Sequence, residues 1–239
     1  MNLIADIGNT AVKIALFENG EMAFSSRLAG FDELLIFLLQ PGKRYDKAII
    51  STVRDIPGNV LIEIGARSGY LHRLSHKSSF PFSIDYETPE TLGMDRLAAV
   101  AGAYNTNPHG NVLVIDAGTA VTFDVLSKNA YKGGTISPGI DMRFRALNSF
   151  TGKLPLVEKD DNAGFPGRNT REAINSGVIF GIVFEINEYI REFNKNHSGT
   201  EVVLTGGDAP FLSGKVSEKH RVDPALVMHG LNFILEYNA

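Results

Sequence analysis

The chain has 239 residues, 44% of them hydrophobic and 21% charged, with a net charge of −4 and no cysteine. Those proportions belong to a globular protein with a real core, and the lack of cysteine excludes disulfides and thiolate metal sites. Lys and Arg are scattered along the chain, which argues against nucleic acid as a partner, and the longest apolar stretches, 34–39 and 178–184, fall short of the roughly 18 residues that a membrane span needs.

Strand-like sequence begins at Leu3 with no basic segment ahead of it, so no signal peptide is expected. Leu3-Ile4-Ala5 ends in a carboxylate, Asp6. A polar turn follows (Gly8, Asn9, Thr10), then a second apolar run over 11–17. Short β-prone runs around a Gly-Asn turn predict a hairpin. Residues 21–27 alternate as a third strand behind Asn19-Gly20. Helical spacing over 31–39 stops at Pro41-Gly42. A strand at 47–52, a helix at 58–67 and a strand at 70–74 complete a β-β-β-α-β-α-β layer of mixed α/β type. Residues 75–89 are polar, and Pro81 and Pro89 forbid a long helix there; Tyr86 lies in this loop. Gly93 opens a helix through Tyr104, with Asp95 in its first turn, where the helix dipole favours an acid. Asn107-Pro108-His109-Gly110 ends the helix and marks the expected boundary between domains 1–110 and 111–239.

The opening then returns. Leu113-Val114-Ile115-Asp116-Ala117-Gly118-Thr119-Ala120-Val121 repeats Leu3 to Val12 with one residue deleted in the turn. In both copies an apolar strand ends in Asp-x-Gly, Thr-Ala-Val starts the next strand, and a third strand follows (residues 131–136 in the second copy). An internal repeat about 110 residues apart predicts two similar α/β halves. A helix is predicted over 140–149, a loop over 151–168, and a long helix to about Asn194 capped at Asn169-Thr170. A buried strand over 201–205 ends in Gly206-Gly207-Asp208, and Asp223-Pro224 opens a final helix over 225–237.

Two Asp-x-Gly turns and a Gly-Gly-Asp strand end predict a cleft between related halves, each offering a carboxylate to a cation and backbone donors to phosphates. Phosphoryl transfer from ATP uses such parts, because its catalysis is mostly positioning and charge neutralisation. Neither a P-loop nor a Gly-x-Gly-x-x-Gly sequence occurs. The six histidines form no convincing ligand set, and the apolar segment 177–186 reads as core or dimer packing.

Four motifs stand together: Asp6-Ile7-Gly8-Asn9-Thr10, Gly93-Met94-Asp95-Arg96, Asp116-Ala117-Gly118-Thr119-Ala120, and Gly133-Gly134-Thr135-Ile136-Ser137-Pro138-Gly139. Their order and spacing resemble type III pantothenate kinase over nearly the whole chain. The resemblance implies the acetate and sugar kinase/Hsp70/actin superfamily fold, two duplicated ribonuclease H-like domains with mixed sheets flanked by helices. It implies ATP-dependent phosphorylation of pantothenate to 4'-phosphopantothenate, the first step of coenzyme A biosynthesis. It also implies a cytoplasmic homodimer that needs Mg²⁺ and a monovalent cation, K⁺ or NH₄⁺.

By the same resemblance, Asp6, Ile7, Gly8, Asn9, Thr10, Ala11, Val12 and Lys13 line the ATP phosphates, and Thr119 contacts ATP from the other half. Asp116 matches the monovalent-cation ligand. Gly93, Met94, Asp95 and Arg96 match the pantothenate site, with Asp95 as the base that takes the proton of the primary hydroxyl. Tyr86 matches a substrate-contacting tyrosine, and Thr170 a substrate-contacting threonine supplied by the partner subunit. Read without the resemblance, Asp95 is a helix N-terminal acid, Lys13 a solvated strand residue and Thr170 a helix cap; Asp116 stays a rival for the base. Two other functions remain open: a kinase of the same fold with another small acceptor, and a non-catalytic accessory regulator of transcription of the Bvg accessory factor type. The intact carboxylates favour the enzyme, since a binding role makes no demand on a base.

Overall fold

The structure, a computed structural model, describes residues 1–9, 11–162 and 164–239. The chain forms two compact units, residues 1–108 with 226–239, and residues 109–225.

In the first unit, β1 (Asn2–Ile7), β2 (Val12–Glu18) and β3 (Glu21–Leu28) make an antiparallel meander. Asn19 and Gly20 both have left-handed backbone (φ 52° and 85°), the turn whose twist matches two flanking strands. After α1 (Phe31–Leu38), β4 (Tyr45–Thr52) pairs parallel with β1; after α2 (Gly58–Arg67), β5 (Ser68–Arg73) pairs parallel with β4. The strand order is β3-β2-β1-β4-β5. Leu3, Ala5 and Ile7 of β1 pack under Leu34, Leu38, Val60 and Ile64 of the two helices. A two-residue strand, β6 (Ser83–Ile84), and a single 3₁₀ turn at Pro89–Thr91 lead into α3 (Met94–Thr106).

The second unit repeats the plan. The strands β7 (Asn111–Ala117), β8 (Ala120–Ser127) and β9 (Ala130–Pro138) form a meander whose turn, Lys128-Asn129, is again left-handed (φ 51° and 58°). Two helices follow, α4 (Ile140–Ser149) and α5 (Thr170–Asn196). Then β10 (Thr200–Thr205) pairs parallel with β7, and after α6 (Ala209–Ser213), β11 (Arg221–Val222) pairs parallel with β10. The unit's strands run β11-β10-β7-β8-β9, the order of the first unit strand for strand. Ile174, Val178, Ile182 and Ile186 of α5 pack on Leu113, Ile115 and Phe123 of this sheet.

One boundary differs from the sequence expectation. The last helix, α7 (Leu226–Asn238), belongs to the first unit, so the domain expected over 111–239 ends near 225. The reason is a close helix contact. A Cβ on Gly230 would lie 1.7 Å from the Ala98 carbonyl oxygen, and one on Gly102 would lie 2.4 Å from that of Leu226. Only glycines let α3 and α7 approach this far.

Candidate active site

Asp6 is the penultimate residue of β1, half-buried, with Ile7 closing the strand. The turn after it is closed by the Gly8 N–H, which donates to the Ala11 carbonyl at 3.0 Å. Ile7, Ala11 and Val12 send buried side chains into the core, so only their backbone groups are available to a ligand. Asn9 is exposed and Gly8 half-buried; Thr10 lies outside the described residues. Two residues sit beside Asp6 in register, exposed Lys13 on β2 and Ser51 on β4, the latter only 1% exposed. Burial pushes the Asp6 carboxyl above its ordinary range. Lys13 opposes that shift, the charge of Asp95 adds to it, and a hydrogen bond from Ser51 opposes it. Asp6 and Asp95 therefore share one electrostatic neighbourhood.

Asp95 lies in the first turn of α3, and its Oδ1 accepts the Arg96 N–H at 2.9 Å. Gly93, the cap residue, has no side chain to offer, and a Cβ there would sit 2.5 Å from Asp95 Oδ1. The glycine is what leaves room for the carboxylate. Arg96 is buried, while Met94 and Tyr86 are half-buried. All five lie in the same unit as Asp6.

The second copy of the turn is built the same way. Gly118 N–H donates to the Ala120 carbonyl at 3.0 Å, spanning one residue fewer than Gly8 to Ala11. Half-buried Asp116 has Thr122 and Thr205 in register on either side. Gly206, at φ +94°, would place a Cβ 2.4 Å from both Asp116 Oδ1 and the Ala117 carbonyl oxygen. Gly139 would place one 2.3 Å from the Gly118 oxygen, and its own N–H donates to the Thr119 oxygen at 3.1 Å. The Asp208 N–H closes the fence on Ala117 O at 2.9 Å. So the motifs around Gly139 and Gly206-Gly207-Asp208 work by close backbone approach to the Asp116 turn. Thr119 at its tip is exposed.

Thr170 is the first residue of α5 and exposed. The cap is Asn169, whose side chain accepts the Glu172 N–H at 3.0 Å, while Glu172 reaches back to the Arg168 N–H at 2.8 Å. The Thr170 side chain is not the one that caps the helix.

Sequence reasoning passed over Ser51 and Thr205, the buried hydroxyls beside the two aspartates. A signal was present: Ala48-Ile49-Ile50-Ser51 and Val202-Val203-Leu204-Thr205 are each an apolar run ending in a hydroxyl, in the same place of each repeat.

Among the described residues no group of three or more His, Asp or Glu side chains is arranged to hold a metal ion. One carboxylate per turn suits Mg²⁺ carried on nucleotide phosphates, since that ion keeps most of its waters and takes only one or two protein carboxylates. No helix among the described residues is long and apolar enough to cross a membrane.

The family model for type III pantothenate kinase matches residues 2–192. The type III pantothenate kinase of Phocaeicola vulgatus is 43% identical over 241 residues, covering 100% of this chain and 99% of the relative. Among solved structures, a Campylobacter jejuni protein described as a Baf family transcriptional activator superposes with a TM-score of 0.64 at 24% identity, covering 99% of this chain and 98% of that one. A Porphyromonas gingivalis protein assigned as an N-acetylglucosamine kinase does so with a TM-score of 0.58 at 11% identity, over 100% of both chains. The two structural likenesses show the fold: mixed sheets flanked by helices, duplicated in the manner of the actin-like ATPases.

Proposed function

The chain belongs to the type III pantothenate kinase family, and from that premise we propose that it transfers the γ-phosphoryl group of ATP to the primary hydroxyl of pantothenate. The observation that supports this reading is that the charge of Asp95 is felt at Asp6, as expected if the phosphate-side turn and the base serve one site.

Asp6, the backbone around Gly8 and Asn9, and Lys13 hold the polyphosphate, and Thr119 adds a nucleotide contact. Mg²⁺, when bound with ATP, neutralises charge on the phosphate oxygens. Asp95 accepts the hydroxyl proton as the new bond forms. An aliphatic alcohol needs such an acceptor only late, because the transition state is loose and positioning carries most of the rate. Arg96 is a buried guanidinium suited to the pantothenate carboxylate through charge-assisted hydrogen bonds. Tyr86 and the backbone of Gly93 and Met94 line the acceptor.

Asp116 takes the monovalent cation, K⁺ or NH₄⁺. The fit is one of oxygen chemistry and space: a carboxylate with threonines in register on both sides, next to glycines whose missing Cβ leaves a cradle. The protein works as a homodimer through the outer face of α5. There Phe184 and the neighbouring Phe165 are 64% and 82% exposed, with the Phe180 ring between them at 5.9 and 6.1 Å. An exposed aromatic row of this kind marks an interaction face. Thr170 opens the same helix and in a dimer serves the neighbouring substrate site.

A coupled assay of ADP release tests the proposal. Turnover is expected only when pantothenate, ATP, Mg²⁺ and K⁺ are all present. Absence of pantothenate-dependent turnover under those conditions sinks it.

A further inference from the structure

The two Asp-x-Gly turns share a backbone but not a charge environment. Aligned on Asp6 and Asp116, β2 and β8 differ in polar character at two positions on the face that carries the aspartate. Lys13 in the first copy becomes Thr122 in the second; both are the direct cross-strand partners of their aspartate. Ala15 becomes Asp124, and both are fully buried. The basic residue beside Asp6 thus has no counterpart beside Asp116, and a buried carboxyl group stands behind Asp116 where the first copy has alanine. The first arrangement suits a polyanion. The second suits a cation.

The hydrogen bonds of Asp124 sharpen this. Its Oδ1 accepts the Tyr131 hydroxyl at 2.8 Å, and its Oδ2 accepts the Thr122 hydroxyl at 2.9 Å. A buried carboxylate is costly unless it is well satisfied, and these two donors supply part of that. They also fix the direction of the Thr122 hydroxyl. A Thr122 hydroxyl that donates to Asp124 turns its lone pairs toward its other neighbours. Its cross-strand neighbour is Asp116, and such side chains have Cβ atoms about 4.5–5.5 Å apart.

We propose that Asp124 and Thr122 are positioning residues for the monovalent cation at Asp116: Asp124, held by Tyr131, orients the Thr122 hydroxyl as an acceptor toward the site. The proposal rests on the assignment of Asp116 as the cation ligand. Residues that orient and polarise a metal ligand typically change metal affinity by about 10- to 100-fold when removed, and an effect of that size is expected here.

The test compares wild type with Asp124→Asn, Thr122→Val and Thr122→Ser. Two readouts are taken at constant ionic strength, KCl replacing choline chloride: initial rate at saturating substrates, and the thermal unfolding midpoint with Mg·ADP bound. The second reads cation binding without turnover, through ligand-linked stabilisation. For Asp124→Asn and Thr122→Val, the K⁺ midpoint is expected to rise about 10- to 100-fold in both readouts, by more than the rate at saturating K⁺ falls. Thr122→Ser keeps the hydroxyl and should restore the wild-type midpoint. Wild-type K⁺ midpoints in Asp124→Asn overturn the proposal. If Asp124→Asn does not fold, a wild-type midpoint in Thr122→Val overturns it instead. A wild-type enzyme with no K⁺ dependence in either readout overturns the assignment of Asp116 itself, a separate failure.

Discussion

Replacing Gly93 by alanine isolates the geometry of Asp95 from its chemistry. The added Cβ would lie 2.5 Å from Asp95 Oδ1, whereas its next contacts, Arg96 Cδ and Cγ at 3.5 and 3.6 Å, are ordinary. Non-bonded heavy atoms settle at about 3.5 Å or more, so the carboxylate oxygen has to retreat by about 1 Å. Its bond from the Arg96 N–H, 2.9 Å long, goes with it.

Stability should hardly register the change. Gly93 has φ −60° and ψ 126°, a conformation open to any residue. Alanine gains about 0.4–1 kcal/mol by restricting the unfolded chain and loses a comparable amount as a poorer helix cap than glycine. Activity should register it strongly. A positioned base is worth about 10²–10⁴ in rate, and a 1 Å misplacement costs about 10²-fold, so kcat is expected to fall about 10²-fold, toward the value of Asp95→Asn. The KM for ATP should stay, because the Asp6 turn is untouched. Coupled ADP release and a urea denaturation curve on the same preparation measure both quantities. Wild-type kcat with a normal unfolding curve would refute the reasoning, since the base would then not depend on the space Gly93 leaves.

Three further outcomes follow from named contacts. Gly230→Ala drives a Cβ into the Ala98 carbonyl; overpacking costs about 1–3 kcal/mol against about 1 kcal/mol of helix propensity regained, so the urea midpoint should drop, and an unchanged midpoint would contradict the α3–α7 contact. Burial raises the Asp6 pKa, so the folded protein holds that proton more tightly than the unfolded chain, and stability falls as pH rises from the ordinary Asp range through the raised value. Asp6→Asn should therefore be more stable than wild type at neutral pH, with the gap closing in acid and turnover lost; urea midpoints at several pH values that show a constant or reversed gap would rule this out. Phe184→Asp places a charge on the exposed aromatic row of α5 and should yield monomers with reduced activity by light scattering and assay, whereas an unaltered dimer would place the interface elsewhere.

The repeat was legible in the sequence because it is local. Asp-x-Gly at the end of an apolar run fixes a strand, its turn and the start of the next strand, and two copies foretell two sheets of one topology. The left-handed turn at Asn19-Gly20 is legible for the same reason; at Lys128-Asn129 the turn is legible but its left-handed start is not, because lysine does not favour positive φ. Ser51 and Thr205 were missed because their role is set by parallel pairing across the sheet, which strand spacing alone does not reveal. Sequence offers both Asn169 and Thr170 as the cap, and only the hydrogen bonds assign it to Asn169. The 3₁₀ turn before α3, the five-residue α6 and the two-residue strands β6 and β11 are too short to carry a periodicity.

The placement of α7 was illegible for a deeper reason, and it bears directly on the site. Its apolar pattern only demands a partner surface and does not say which unit supplies it. The choice is made by polar and steric contacts distributed over the chain. Asn2 at the start of β1 donates to Asn232 at 2.9 Å and to Glu236 at 2.6 Å, and Lys47 of β4 donates to the other Glu236 oxygen at 2.7 Å. These partners hold the Glu236 carboxyl below its ordinary range, Lys47 first and Asn2 next. On its other side α7 meets α3 through the Gly102–Gly230 crossing. One helix thus ties the strand that carries Asp6 near its end to the helix that carries Asp95 in its first turn. It bridges the elements that carry the two carboxylates, although neither carboxylate lies on it. A change at the helix crossing should therefore alter kcat as well as stability, because any shift of α3 against β1 moves Asp95 relative to Asp6, the proposed base relative to the proposed phosphate-binding turn.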